Sequence, residues 1–372
     1  MAPPRRPSNN RDIDPVAFGF VSTSSNARAE RAHLVRIFPP APHGGVHVTA
    51  FEGSRMTLGR GSGCSITLDM RGLDDEHARV ERPRTGTALR VQDLDSGGGT
   101  FVQGRRVPKR GLDLPVGGTL RLGGAVFVHT RWTDEAAQMA SWSPLPGPVN
   151  SCAPSVVEGL RRLQKKRYDA GTFWICGASG AGRSVVIEHL RALVEISSGG
   201  DWITGGVEFV PCATPPADAD PTRTLVLPPL KDRPEDLLVL LAALNGGALP
   251  RLTARLVEGL ALYDWPGNIR ELRLALARAH DPRYAPPESA RWTLELFPDC
   301  ARFAGEATGG EDPLTLQTPE RPLPTTVKGM RALLDAHSWR IFQVAAATGR
   351  SRRSVLDHVF ELGIREPWER PA

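Results

Sequence analysis

The chain has 372 residues, enough for two or three domains that each bury a core of their own. At 40% apolar and 23% charged residues, its composition is that of a folded soluble protein and excludes a wholly disordered or fibrous one. A net charge of +5 leaves room for an anionic partner, although arginine-rich usage alone would produce it. No apolar run approaches the roughly 18 residues of a membrane span. The opening MAPPRRPSNNRDIDP lacks the apolar stretch of a secretory signal. The cysteines at 64, 152, 176, 212 and 300 are scattered, with no C-x-x-C pair. They are expected as free thiols in a reducing, cytoplasmic compartment, with no metal site and no membrane contact.

Residues 1–32 begin polar and proline-rich and read as a flexible arm. Over 33–132, short apolar runs such as HLVRIF, SITLD, ALRVQDL and VFVHT alternate with glycine-rich turns, the spacing of an all-β sandwich. Residues 133–155, with WSPLPGPVNSCAPS, read as a linker. Over 156–230 the period changes. TFWIC is a short buried strand that runs through a glycine-rich turn into the amphipathic helix SVVIEHLRALVEI, and VEFVPC and TLVLPPL are further strands. Over 231–283, DRPEDLLVLLAAL predicts a helix opened by a capping box of Asp232 and Glu235 with Pro234 in its first turn. DWPGNIRELRLALARAH repeats the device: Pro266 and Gly267 break the chain, Asn268 caps, and Glu271 sits three later. Residues 284–325, rich in Pro, Gly and Glu, read as a second linker. Over 326–366 there are three apolar stripes: Met330, Leu333 and Leu334; Ile341, Val344 and Ala345; Val355, Leu356, Val359 and Leu362. With Gly349 between the last two they suit a helix-turn-helix, and residues 367–372 form a tail. The expected fold is therefore multidomain: an all-β sandwich, a short α/β unit with a helical lid, and an all-α terminus.

Three stretches, LGRGSGCSITL, LDDEHARV and VQDLDSGGGTFVQGRRV, run in order across the β segment. In them it resembles a forkhead-associated (FHA) domain over its whole length. That resemblance implies a phosphothreonine-peptide surface built on Gly-Arg, Ser-x-x-His and Asn-Gly. Gly59, Arg60 and His77 are kept, but Asp74 stands at the serine position and Gly98 at the asparagine position, with Asp75 and Glu76 alongside. A serine hydroxyl donates to phosphate, whereas an ionised carboxylate only accepts. Like charges about 4 Å apart repel by roughly 1 kcal/mol in water and about 4 kcal/mol at an effective dielectric of 20. Loss of phosphothreonine recognition is expected. The surface of Arg60, Asp74, His77 and Gly98 is then left to an unphosphorylated or basic protein partner, with His77 as a loop anchor.

CGASGAGRSVV matches the phosphate-binding loop G-x-x-x-x-G-K-[ST] at Gly177, Gly182 and Ser184, with Gly180 inside it and Arg183 in the lysine position. Such a loop aims backbone N–H groups at phosphates and uses a compact ammonium, for which a planar guanidinium is no equivalent. Hydrolysis further needs an acidic residue at a strand end to hold Mg²⁺. VEFVPC ends in cysteine and TLVLPPL in prolines, and the stretch from Ser184 to Leu227 has room for two further strands only. EFVPCA, LVLPPLKDRPEDLLVLL and ALYDWPGNIRELRLALARA resemble the AAA+ domain of sigma-54-dependent, NtrC-like enhancer-binding regulators, whose lid motif covers Trp265 to Leu272. The resemblance implies a sensor arginine at Arg270. The family's central segment, which engages the sigma factor and carries the Mg²⁺ motif and the arginine fingers, would fall between Ala213 and Leu225 and is missing. A shortened relic is expected, with no ATPase activity, no required cofactor and no productive sigma-54 contact. Two alternatives remain for it. It holds ATP without hydrolysis through Gly177, Gly180, Gly182, Arg183, Ser184 and Arg270, or it only spaces or dimerises its neighbours.

LLDAHSWRIFQVAAATGRSRRSVLDHVFELGI resembles the Fis-type helix-turn-helix that ends many such regulators, the match resting on Ala345-Ala346, Gly349 and SRRSV. It implies a second helix placed in the major groove of DNA. Arg340, Arg350, Arg352 and Arg353 have no acid among them. Arg350, Ser351, Arg352 and Arg353 open the recognition helix, where arginine takes phosphate or a guanine edge, and His358 follows on it. Asp357, where family members often carry a basic group, keeps open the plainer alternative of a solvated helix end. Together the segments describe a DNA-binding transcriptional regulator acting as a dimer on paired half-sites. The rival is an FHA-type interaction adaptor with a vestigial tail.

Overall fold

Alternating apolar residues place β1 (Arg31–Phe38), β2 (His47–Ala50), β3 (Arg55–Gly59), β4 (Ile66–Thr67), β5 (Ala78–Glu81), β6 (Leu89–Asp93), β7 (Thr100–Val102), β8 (Arg105–Arg106), β9 (Leu112–Leu114), β10 (Thr119–Leu122) and β11 (Ala125–Trp132) in two facing sheets. Their orders are β2-β1-β11-β10-β7-β8 and β4-β3-β5-β6-β9. The computed structural model describes residues 29–41, 44–70, 72–141, 149–166, 169–197, 207–280, 292, 294–304, 323–336, 339, 344, 348 and 352–364. Arg340, Arg350, Ser351, nearly all of the N-terminal arm and much of the second linker lie outside the described residues.

The two-residue period sends Ala32 and Leu34 of β1, Leu120 and Leu122 of β10, and Ala125 and Phe127 of β11 into the space between the sheets, against Met56, Leu58, Val80 and Val91. The opposite face of the first sheet is also covered. Val35, Ile37, Val126 and Val128 pack on helices from much later in the chain. Burial on both faces explains why β1 and β11 read as near-continuous apolar runs.

The segment expected as a first linker opens with α1 (Asp134–Ser141). Thr133 Oγ1 caps it, accepting from the Ala136 N–H at 3.2 Å, and Asp134 and Glu135 suit its first turn. The proline-rich residues that signal a linker begin only after this helix. Next come α2 (Pro154–Lys165), β12 (Gly171–Gly177), α3 (Arg183–Ser197), β13 (Val207–Cys212) and β14 (Thr224–Leu227). The three strands form a parallel sheet in the order β13-β12-β14. Cys176 and Cys212 are register partners, with Cα atoms 4.6 Å apart, and are joined by a disulfide. This corrects the expectation of free thiols for those two. Parallel neighbours bring the Cα atoms within disulfide reach, a register that linear spacing does not reveal. Cys64, Cys152 and Cys300 are free.

Two 3-10 turns, Leu230–Asp232 and Pro234–Asp236, lead into α4 (Leu237–Leu244), followed by α5 (Ala254–Leu262) and α6 (Asn268–Ala279). The expected capping box at Asp232 and Glu235 is not formed: α4 starts at Leu237, and Glu235 and Asp236 are buried. Asp236 instead accepts from Ser151 Oγ at 2.7 Å and from the N–H groups of Cys152 and Ala153, holding the residues that precede α2. Nor does Asn268 cap α6. It is the first helical residue, at φ 53°, and its side chain bridges to other segments. Glu271 does serve the N-terminus, its Oε2 accepting from the Gly267 N–H at 2.7 Å. Residues 292–304, expected within the second linker, fold back onto this unit through buried Trp292, Leu294, Phe297 and Cys300, with α7 at Pro298–Ala301.

The terminal segment contains α8 (Val327–Ala336), α9 (Arg352–Glu361) and helical backbone at Val344 and Thr348. Met330, Leu334, Val344, Val355 and Val359 share one buried cluster with Leu323 and Ile364. Among the described residues no helix is long and apolar enough to cross a membrane.

Candidate functional site

The loops that carry Arg60, Asp74 and His77 meet the Gly97–Gly99 turn. The Arg60 N–H donates to Asp74 O, and the Gly61 N–H to Asp75 O, each at 2.9 Å. The Arg60 guanidinium reaches Asp75 Oδ1 at 3.1 Å, and Asp74 Oδ2 accepts from the Gly97 N–H at 2.7 Å. Carboxylates thus already hold the Arg60 guanidinium and the Gly97 N–H, two groups able to donate to an anion. The Arg60–Asp75 pair is exposed and contributes at most about 1 kcal/mol. Arg60 is therefore not locked, and the larger obstacle to an anion is the charge of Asp74 and Asp75 themselves.

His77 is fully buried between these loops. Its Nε2 faces Gly99 O at 3.2 Å and so carries the proton, while Nδ1 accepts from the Asp74 N–H at 3.3 Å. Burial pushes the imidazole below its usual pKa, against the opposing pull of the Gly99 hydrogen bond. A neutral ring with both nitrogens on backbone is a pin between loops, not a proton carrier. At Gly98 a Cβ would lie 2.8 Å from Gly72 O, so the backbone has closed on the space where an asparagine side chain would begin.

The phosphate-loop residues lie at the junction of β12, α3 and α6. Gly180 sits at φ 77°, and its carbonyl accepts from the Ile269 N–H at 3.1 Å. Asn268 Nδ2 donates to Ser179 O at 3.0 Å, and Arg270 Nη1 donates to Ser179 Oγ at 3.3 Å. Asn268 Oδ1 accepts from the Leu230 N–H at 2.8 Å, so one amide ties the loop to the segment after β14. Buried Arg233 donates to Ala181 O at 2.7 Å and pairs with Asp236 at 3.4 Å. Arg183 turns to the end of β13, donating to Cys212 O at 2.7 Å. Gly182 and Ser184 complete the turn into α3, with Ser184 exposed. The loop carbonyls are thus held from outside by the helical unit. Sequence reasoning singled out Arg270 here but missed Asn268 and Arg233 as loop contacts. The signal was the polar run DRPED, in which Arg233, Glu235 and Asp236 prove to be buried. Among the described residues no group of three or more His, Cys, Asp or Glu could hold a metal ion.

Of the basic residues expected on the terminal helix, Arg352 and Arg353 lie in the first turn of α9. His358 is half-buried, its Nε2 donating to Pro324 O at 3.0 Å, so the ring is turned to the chain's own backbone.

The family model described as FHA domain matches residues 56–123, and the chain carries an FHA domain there. The chain is also similar to the HTH-type transcriptional regulatory protein TyrR of Salmonella typhimurium and of Enterobacter agglomerans. Each is 43% identical over 63 residues, covering 15% of this chain. The match spans 12% of the length of those relatives. Among solved structures, the FHA domain of CT664 protein from Chlamydia trachomatis is 19% identical, covering 28% of this chain and 99% of that one, with a TM-score of 0.25. Mycobacterium tuberculosis EmbR in complex with a low affinity phosphopeptide is 24% identical, covering 27% of this chain and 24% of that one, with a TM-score of 0.24.

Proposed function

We propose that the chain is a DNA-binding transcriptional regulator of the sigma-54 activator type that has lost ATP-driven activation and phosphothreonine recognition. The observation that carries this reading is the local likeness to TyrR, a transcriptional regulator. The arginine run at Arg350, Arg352 and Arg353 supports it. In this reading residues 326–366 are a Fis-type helix-turn-helix, acting as a dimer on paired half-sites. The unit from α2 to α7 is an AAA+ relic without enzymatic activity. Arg183 on the Cys212 carbonyl, and a β14 that runs into Pro228 and Pro229, favour that assignment over a working ATPase.

A second reading is favoured by the FHA match: an interaction adaptor whose sandwich binds a signalling partner. One experiment separates the two. Full-length protein is mixed with fragmented genomic DNA at near-physiological salt, and the retained fragments are sequenced. The regulator reading expects a recurrent paired site. Recovery of no sequence above a random background sinks it and leaves the adaptor.

A further inference from the structure

The stretch from Gln103 to Gly111, QGRRVPKRG, carries Arg105, Arg106, Lys109 and Arg110, all exposed. Among the described residues none of these four is in an ion pair. Several other surface arginines are paired, Arg31 with Asp134, Arg60 with Asp75, Arg90 with Asp113, Arg223 with Asp220 and Arg278 with Asp299, while Arg55 and Arg84 of the sandwich stand singly with no ion pair among the described residues. Four exposed cations thus fall within six residues of chain with no carboxylate partner among the described residues.

The segment is braced. Arg105 and Arg106 form β8, the edge strand of the six-stranded sheet, opposite Val102 and Phe101. Gln103 at φ 52° and Gly104 at φ 71° make the two-residue hairpin turn, a pair of positive φ values that matches the strand twist. Val107 is buried in the sandwich core, its N–H on Thr100 O at 2.8 Å. The Gly111 N–H closes a turn on Pro108 O at 2.7 Å, and Arg90 clamps the far side by donating to Arg110 O and pairing with Asp113. The Arg106 guanidinium lies 3.3 Å from where a Cβ of Gly99 would stand, so the array borders the recognition loops. Cations on a fixed backbone lose less entropy on binding than cations on a mobile tail.

The chemistry selects the partner. Protein hot spots centre on buried aromatic or aliphatic anchors with charge at the rim. Here the one large apolar side chain, Val107, points inward, and the exposed surface is charge without an anchor. Three of the four cations are arginine, the residue whose planar fork fits phosphate oxygens. We infer that the Arg105–Arg110 hairpin is a second, sequence-independent contact to the DNA phosphate backbone. It would position the FHA domain on the duplex while the terminal helices read the site. The inference rests on the DNA-binding reading above.

The test uses the full chain and a random-sequence duplex of about 40 base pairs, long enough for several phosphates to be engaged. Affinity is measured from about 50 to 200 mM KCl, the range over which counterion release is read. Wild type is compared with R105Q/R106Q/K109Q/R110Q and with the charge-keeping R105K/R106K/R110K. Removing one cation that neutralises a phosphate flattens the logarithmic salt slope by about 0.9. The glutamine variant is expected to flatten it by at least about 2, and the lysine variant to keep most of it. All four side chains are exposed, and matching melting curves certify that the variants fold. A glutamine variant with the wild-type slope overturns the inference while leaving the regulator reading intact. No binding by wild type at any salt overturns both.

Discussion

At the residue scale, Asp74 and Asp75 put two carboxylates among the FHA loops, Asp75 on the Arg60 guanidinium and Asp74 on the Gly97 N–H. Hydrogen bonds to a charged group contribute about 1.5–3 kcal/mol each. Replacing an acceptor-only carboxylate by a hydroxyl donor, and removing the neighbouring charge, is therefore a large change. D74S/D75A is expected to bind a phosphothreonine peptide at least about tenfold more tightly than wild type by calorimetry, a gain of about 1.4 kcal/mol. Equal, weak binding by both would show that the closed backbone at Gly98, not the carboxylates, sets the limit. Restoring asparagine at Gly98 is the poorer test, because its Cβ would meet Gly72 O.

Glu235 gives a second prediction at this scale. Burial, with Asp236 adding to it, raises its carboxyl from 4.5 to about 8. Burial raises the Asp236 carboxyl as well, but Arg233 and three hydrogen bonds oppose it there, so Glu235 is the member of the pair that takes the proton first. A folded-state pKa above the unfolded value means the native state binds the extra proton. Its contribution to stability is complete below pH 4.5 and is lost as pH rises to about 8. E235Q, which keeps the shape and needs no proton, should flatten denaturant stability between those limits. A wild-type profile that already rises over that range would contradict the assignment.

At the element scale, α6 and the phosphate loop behave as one piece because Asn268 joins them. N268A strands the Leu230 N–H and Ser179 O, at about 1–3 kcal/mol for each group left unsatisfied. N268G also removes the bonds but relieves the φ of 53°. Equal destabilisation in the two variants, read by denaturant midpoints, would assign the effect to the bonds. Full recovery in N268G would assign it to backbone strain.

Much of this level was legible. The WPGN break, Glu271 at its cap and the strands flanking the loop all follow from local pattern. What could not be read was where side chains go once elements meet. Asn268 has the chemistry of a cap and is used as a bridge. DRPED looks like a solvated helix start, yet its Arg233, Glu235 and Asp236 form a buried polar node. Residues 292–304 have a linker's composition, and only packing against α5 gives their apolar side chains a core.

At the scale of the whole molecule, the sandwich and the helical unit share a core. Leu-Arg-Leu in β10 reads as alternation with its arginine facing water. Instead α5 covers that face, and Arg121 is fully buried against Glu258 at 2.8 Å with its guanidinium 3.9 Å from the Phe101 ring centroid. No local sequence signal announces a partner so distant along the chain. Removing one member of a buried pair costs about 3–5 kcal/mol, because the other is stranded without water. R121M should destabilise by that amount, and R121M/E258M should recover most of it. Under denaturant the wild-type sandwich and helical unit are expected to unfold together. Separate transitions in wild type would show that the shared core does not couple them.

The proposed regulator would read DNA without an ATP-driven engine. The most direct measurement is the affinity of the full-length protein for its most enriched genomic duplex and for a scrambled duplex of the same length, each with and without Mg²⁺ and ATP, while nucleotide is followed for turnover. Binding is expected to be at least about a thousandfold tighter to the enriched duplex, unchanged by nucleotide, with ATP left intact. Equal affinity for both duplexes, or ATP hydrolysis above the buffer rate, would contradict it.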